Sequence, residues 1–384
     1  MQGIETSIPR RPTQAIISLD NLAHNFRLIK KIVGNEVAVM PAMKADAYGH
    51  GAIECARVLE AEGAAWFAVA LPEEGVELRE AEITKPILSL GGFWEGQEEL
   101  LIQYKLTPVM FRLDLLKKLN AAARRAGVIC DYHLKVDTGM GRLGVSITEL
   151  ENFLDAAMPL KNVRLDGLLT HIASADVMEA DGYSNRQFKL FEQAQTLARK
   201  RGQYPRWIHA ANSATLVAYP QAHCNLIRPG NLLYGNWRDT LRTDLAPQDW
   251  RAVMTLRSQI IFLKTVAAGT SLGYGGTFVS ERESRIATIA IGYEDGLPRV
   301  LSNRGRVLVR GQFAPIVGRI SMDLTLVDVT DITEATLDDE VVIMGRQGDA
   351  EITAEEIAQL AGTISYEITC GISARVPRIY KRQL

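Results

Sequence analysis

The sequence predicts an α/β protein built as an N-terminal (β/α)8 barrel of the TIM type followed by a C-terminal, mostly antiparallel β-domain. Two observations carry that expectation. Up to about residue 240, short apolar runs alternate with helical patterns, and there are eight such runs. Near-continuous apolar strands separated by helices imply a parallel sheet covered on both faces, and a count of eight favours a closed barrel over an open doubly wound sheet. After about residue 245 the helices nearly vanish and β-rich runs punctuated by Gly, Asp and Asn take over. With 384 residues and 47% hydrophobic content the chain can fill two cores. The expected domains are 1–245, with the first dozen or so residues an extension outside the barrel, and 246–384.

The barrel strands read in order as "VAVMPAM" (37–43), "WFAVAL" (66–71), "PILSLGG" (86–92), "TPVMF" (107–111), "DYHLKVDTG" (131–139), "LDGLLTHI" (165–172), "RWIHAANS" (206–213) and "CNLIRPG" (224–230). Helical patterns such as "GAIECARVLEAEG" and "PEEGVELREAEI" stand between them. In the second domain the strands are "TLRSQIIFLKTV", "RIATIAIGY", "RVLVRG", "FAPIVGRI", "LTLVDVT", "DEVVIMG" and "ARVPRIYKR". One helix is expected there, "TAEEIAQLAG", capped by Thr353 and closed by Gly362.

Composition narrows the partners. A net charge of -2 supplies no basic excess to neutralise a phosphate backbone or an anionic bilayer, so neither nucleic acid nor a membrane is expected. The start, "MQGIETSIPRRPTQ", has no apolar leader run, and no segment reaches the roughly 18 apolar residues of a span. A cytoplasmic protein is expected. Cys55, Cys130, Cys224 and Cys370 lie far apart with no CxxC or neighbouring histidine pair, so we expect no metal and mostly buried thiols.

Active sites of such barrels sit at the C-terminal ends of the strands. Lys44 ends the first strand, where partial desolvation by Met43 and Tyr48 lowers an amine's pKa enough to form an imine with an aldehyde. A salt-bridged rim lysine is the plain alternative. Strand five ends at Lys135 and Asp137 and presents Arg142 on the loop "TGMGRLG"; strand six ends at His171; strand seven at His209, Asn212 and Ser213; strand eight at Arg228, Pro229 and Gly230. Ser213 opening a helix, beside the backbone amides after Arg228, would make a phosphate cradle. An imine-forming lysine and a phosphate cradle on one rim suggest pyridoxal phosphate. Arg228 facing the ring nitrogen would discourage its protonation and weaken the ring as an electron sink, which suits removal and return of a Cα proton.

Nine blocks, "AMKADAYGHGA", "KVDTGMGRLG", "LLTHIASAD", "HAANSA", "IRPGNLLYG", "LGYGGTF", "IAIGYEDGLPR", "VGRISMDLTLVDVT" and "GTISYEITCGISARVPRIY", resemble in order and spacing those of the alanine racemase family, over roughly residues 13–382. The resemblance implies a pyridoxal-phosphate racemase that works on alanine as a homodimer with shared sites. By the same resemblance Lys44 and Tyr274 are the two opposed bases, Tyr274 coming from the partner subunit. Arg142 touches the cofactor's ring oxygen and, with His171, sets the field around Tyr274, while Arg228 faces the ring nitrogen. Tyr48, Asn212, Ser213, Gly230, Asn231 and Tyr366 belong with the cofactor, and Tyr293, Met322, Asp323 and Arg142 with the substrate. Lys135 matches a lysine carbamylated in some members. This chain departs from the pattern at Asn231, where an apolar residue is usual, at Gly273, where serine is common, and at Ala42-Met43. Relatives acting on serine or on basic amino acids share nearly all these motifs, so substrate range stays open at this point. A fold-related decarboxylase and a single-barrel cofactor-binding protein are the rivals from other classes. Arg228 and Tyr274 weigh against the first, and the second domain, with Tyr274, Met322 and Asp323 in it, against the second.

Overall fold

The structure, a computed structural model, describes residues 11–178, 181–245 and 249–382. As far as they are described, the residues form two compact units, Leu19–Arg251 and Met1–Ser18 with Ala252–Leu384.

The first unit is the barrel. Its strands are Ala38–Val39, Phe67–Val69, Ile87–Ser89, Leu106–Met110, Cys130–Asp137, Val163–Leu169, Trp207–His209 and Leu226–Ile227. Six of them, from Phe67–Val69 to Trp207–His209, form one parallel sheet in sequence order. The last strand pairs in parallel with the first. Two further seams close the ring. An isolated bridge joins Ala42 to Ala68, with the Met43 N–H donating to Ala68 O at 2.7 Å, and the Arg228 N–H donates to Ala211 O at 2.9 Å.

Met40, Trp66, Ala68, Leu88, Val109, Leu169 and Leu226 fill the interior, so the barrel is a packed core and not a pore. Helices dock on the outside through one apolar stripe each. Leu19–Val33 buries Leu22, Phe26, Ile29 and Val33, a spacing of three to four residues, and Leu113–Ala126 buries Leu115, Leu119 and Ala122 before stopping at Gly127 with φ 68°.

In the second unit the long strand Met254–Val266 is central. It pairs antiparallel with Gln14–Ser18, Glu340–Gln347 and Ser284–Ile289, and the last of these continues to Thr325–Asp328. Gln14–Ser18 also pairs in parallel with Arg378–Lys381. That strand is a difference from the sequence reading, which placed residues 1–245 with the barrel. "QAIIS" alternates buried and half-buried positions, the signature of a strand in an antiparallel sheet, but it runs directly into the first barrel helix and so reads as part of that domain.

Helix Ala354–Ala361 forms as expected. Thr353 Oγ1 accepts from the Glu356 N–H, and Gly362 closes it with φ 74°. A second helix, Ser365–Cys370, was not expected, because its Ile, Thr and Cys favour strands by propensity. The thiols also differ from expectation. Cys55 is buried, but Cys130 is half-buried and Cys224 and Cys370 are exposed, the first of these two in a turn and the second at the end of a short helix. Among the described residues no helix is long and apolar enough to cross a membrane.

Candidate active site

Lys44 leaves the first strand into an unusual turn. Ala45, Asp46, Ala47 and Tyr48 all adopt left-handed helical backbone, with φ of 53°, 53°, 53° and 55°. L-residues resist this conformation by about 1–2 kcal/mol each, so four in succession cost about 4–8 kcal/mol. The surroundings offset that cost with specific hydrogen bonds. Glu74 Oε1 accepts from the Ala45 N–H at 2.7 Å, while its Oε2 accepts from Ala70 at 2.7 Å and Leu71 at 3.1 Å. Asp46 Oδ1 accepts from the Ala52 N–H at 2.6 Å, tying the turn to the next helix.

Aromatic packing supports the same turn from below. His50 stacks on Tyr234 with ring centroids 4.5 Å apart, and Tyr234 donates to Ala42 O at 2.9 Å. The consequence is a lysine on a rigid base. Its Nζ lies 5.7 Å from the Tyr48 ring centre.

The turn also delivers Tyr48 to the far side of the rim. A Cβ on Gly230 would fall 2.5 Å from the Tyr48 hydroxyl, so any larger residue there would displace the tyrosine. Ser213 Oγ accepts from the Gly230 N–H at 2.9 Å and opens helix Ser213–Ala218. Asn212 caps that helix by accepting from the Thr215 N–H at 2.9 Å, and its amide nitrogen lies 3.5 Å from His171 Nε2. The Asn231 side chain is turned away into a buried network with Thr240 and Asn236. Its departure from an apolar residue is therefore absorbed within the core, and only its backbone is left to serve a ligand.

Four cations share this end of the barrel. Burial, followed by the charges of Arg228 and Arg142, pulls the Lys135 amine down to about 8. Arg228 is buried and donates to His209 Nδ1 at 2.7 Å, Thr170 O at 2.7 Å and Ala210 O at 3.1 Å. Burial lowers it to about 10, which leaves it charged at neutral pH. His171 is held neutral by burial and then by Arg228, Lys135, Arg142 and Lys44. Arg142 rides on a loop shaped by Asp137, whose Oδ1 accepts from the Gly139 N–H at 2.9 Å and the Gly141 N–H at 3.1 Å. This concentration of positive potential suits a ligand with a phosphate and an anionic ring oxygen.

The remaining candidates lie in the second unit. Tyr274 is 70% exposed on a short turn between strands Ser271–Leu272 and Phe278–Val279. Gly273 before it has φ 73°, and a Cβ there would come within 3.2 Å of the Arg319 nitrogen, which explains glycine at this position. Met322 and Tyr293 are neighbours through backbone. The Tyr293 N–H donates to Ser321 O and the Glu294 N–H to Met322 O. Asp323 accepts from Arg375 at 2.5 Å, and Arg375 with Arg11 also holds the fully buried Asp295. Tyr366 sits in helix Ser365–Cys370.

The barrel unit thus assembles Lys44, Tyr48, Lys135, Arg142, His171, Asn212, Ser213, Arg228, Gly230 and Asn231, and the second unit holds Tyr274, Tyr293, Met322, Asp323 and Tyr366. Sequence reasoning missed Glu74, Asp46, His50 and Tyr234. Only Glu74 left a signal, as the second glutamate of "PEEG" in a first helical turn, where a carboxylate finds free N–H groups.

Two family models match the chain, the alanine racemase N-terminal domain over residues 17–237 and the alanine racemase C-terminal domain over residues 253–380. An alanine racemase of Halothermothrix orenii is 45% identical over 97% of this chain and 98% of its own length. Among solved structures, an alanine racemase of Clostridium difficile 630 superposes with a TM-score of 0.91 at 34% identity, covering 97% of this chain and 96% of that one. An alanine racemase of Bartonella henselae with covalently bound pyridoxal phosphate superposes with a TM-score of 0.86 at 28% identity, covering 96% of this chain and 99% of that one.

Proposed function

The chain belongs to the alanine racemase family, and from that premise we propose how its own residues interconvert L- and D-alanine. The enzyme is an isomerase, and its family depends on pyridoxal phosphate.

The residues present fit that cofactor. A clamped lysine at a strand end, a glycine that only just clears the Tyr48 hydroxyl, a serine opening a helix and a buried charged arginine make a donor set for an aldehyde, a phosphate and a ring nitrogen. When bound, pyridoxal phosphate supplies the electron sink that acidifies the Cα–H of an attached amino acid. Lys44 holds the cofactor and moves the proton on one face. Arg228 keeps a positive charge beside the ring nitrogen, which disfavours protonation there and with it transamination. Tyr48, Ser213 and the backbone at Gly230 and Asn231 fix the phosphate end.

Racemisation needs a second base, because one group on one face returns a proton only where it found it. Tyr274 is our assignment for that face. The phenol's ordinary pKa is about 10, so it works only in a field that favours the phenolate. The cationic rim of Arg142 and Arg228 with neutral His171 supplies such a field in a shared site. Tyr274 at 70% exposure and Met322 at 49% present themselves outward from the second unit, which supports a homodimer in which Tyr274, Tyr293, Met322, Asp323 and Tyr366 serve the partner subunit. Lys135, at about 8, is neutral in roughly one molecule in ten at pH 7, the form in which an amine takes up carbon dioxide to brace Arg142.

The observation that carries this reading is the strained, fully braced turn that presents Lys44 beside the phosphate cradle. Proton NMR of the cofactor-loaded protein in D₂O, with L-alanine, L-serine, L-lysine and L-arginine followed by a chiral assay, tests it. Rapid loss of the α-proton with D-product from alanine alone is expected. Equal rates on serine or the basic amino acids would move the substrate assignment, and no exchange from any would overturn the reading.

A further inference from the structure

The interior of the barrel holds a chain of polar side chains that the reaction as described does not use. Arg228 donates through its Nη1 to His209 Nδ1 at 2.7 Å, and His209 Nε2 lies 2.9 Å from His133 Nδ1. His133 Nε2 is fully buried, has no hydrogen-bond partner among the described residues, and lies 4.0 Å from Asp166 Oδ2. The ring of His133 has a built place. A Cβ on Gly167 would come within 2.4 Å of it, and Trp66 packs at 5.2 Å between centroids. Asp166 lines a cleft of about 420 Å³ at the opposite, N-terminal end of the strands, with Trp66, Thr107, Asp131, Arg164 and Trp207.

Donor accounting gives this chain a direction. A guanidinium has only donors, so His209 Nδ1 must accept. A neutral imidazole has one donor and one acceptor, so His209 carries its proton on Nε2 and gives it to His133 Nδ1. His133 then carries its proton on Nε2, aimed at Asp166. Burial and the charge of Arg228 keep both rings neutral. Every N–H therefore points away from Arg228 and toward the carboxylate. At 4.0 Å the carboxylate does not form a hydrogen bond, but its charge acts strongly across so short a gap in a barrel core.

We propose that His133 and Asp166 are positioning residues, which act through His209 to orient Arg228 at the cofactor ring. The negative charge at the far end aligns the dipoles of both imidazoles and makes His209 Nδ1 a better acceptor. With Nη2 spent on Thr170 O and Ala210 O, the pull on Nη1 fixes the rotation of the guanidinium plane. The inference rests on the assignment of Arg228 to the ring nitrogen.

The sequence has six histidines, so ¹⁵N-histidine labelling of the full chain gives a readable spectrum. Long-range proton–nitrogen correlation is recorded with and without pyridoxal phosphate and assigned through His133→Gln and His209→Asn. Both rings are expected neutral at pH 7 with the proton on Nε2. Asp166→Asn is expected to shift the nitrogens of both rings and to lower kcat on the order of tenfold, with KM for alanine within about twofold. A proton on Nδ1 of either ring, in the cofactor-free protein or the loaded one, overturns the chain. So does an Asp166→Asn variant whose nitrogen shifts match the parent, whether or not kcat falls, because a charge that acts through the two rings cannot be removed without moving their nitrogen shifts. A failure of the Arg228 assignment shows separately, as His209 nitrogen shifts that do not respond to added pyridoxal phosphate.

Discussion

Glu74→Gln isolates the clamp beneath Lys44. The carboxylate accepts three backbone N–H groups, from Ala45, Ala70 and Leu71. An amide has one oxygen and one NH2, so at least one of those N–H groups must face a donor after the change. The arrangement of least cost turns the NH2 toward the Ala45 N–H, which lies at the surface and can be hydrated. That places the loss at the low end of the range for an unmade hydrogen bond, about 1–2 kcal/mol. The turn it released holds four left-handed residues, so a loss of this size falls on the geometry of Lys44 and not on the outer helices. Urea unfolding of the cofactor-free protein should show the loss, and titration with pyridoxal phosphate should show about tenfold weaker binding, the equivalent of about 1.4 kcal/mol. Ala45→Gly in the same background should return up to about 1 kcal/mol, because glycine adopts φ 53° without strain and Ala45 buries little side chain. Unchanged stability and unchanged cofactor binding in Glu74→Gln would refute the claim that the clamp holds the lysine.

Two further outcomes follow from the same account. Lys44→Ala should abolish racemisation and the visible absorption of the lysine-bound cofactor, and an unchanged spectrum would contradict the role of Lys44. Acid should unfold the protein early. Burial keeps His133 at about 3 and holds His171 and His209 well below the ordinary value, so below about pH 6.5 the unfolded chain binds protons that the folded one refuses. Stability should be intact above that pH and fall as pH drops, by roughly 1 kcal/mol per pH unit from His133 alone and by more with the other two. Denaturant midpoints that stay flat between pH 6.5 and about 4.5 would show that these rings are not kept neutral.

The barrel was legible because its strands are apolar on both faces and its chemistry sits at their ends. That Lys44, His171, Ser213 and Arg228 stand at the C-terminal ends of strands, with Arg142 on the loop after one, could be read from position alone. The braces were not legible, for a physical reason. The Glu74 bond to Ala45 and the contacts of Tyr234 with Ala42 and His50 join residues far apart in sequence, and no periodicity signals them. The left-handed run 45–48 was hidden as well, since "ADAY" has no glycine and its local preference is for a right-handed helix. Strand Gln14–Ser18 was misplaced because its partners, Met254–Arg257 and Arg378–Lys381, come more than 200 residues later. Asn231 shows the converse. Its polarity looked like a departure near a ligand, and the structure spends it on Thr240 and Asn236.

The central claim is that two residues, Lys44 and Tyr274, work from opposite faces of one carbon. Solvent exchange in D₂O with L-alanine and D-alanine separately, comparing the parent enzyme with Tyr274→Phe, addresses it directly. The account predicts that the variant loses on the order of 10²-fold or more in exchange from one enantiomer, while the other still exchanges its proton through Lys44 with retention. Equal loss from both enantiomers, or racemisation that proceeds as in the parent, would contradict a second base at Tyr274.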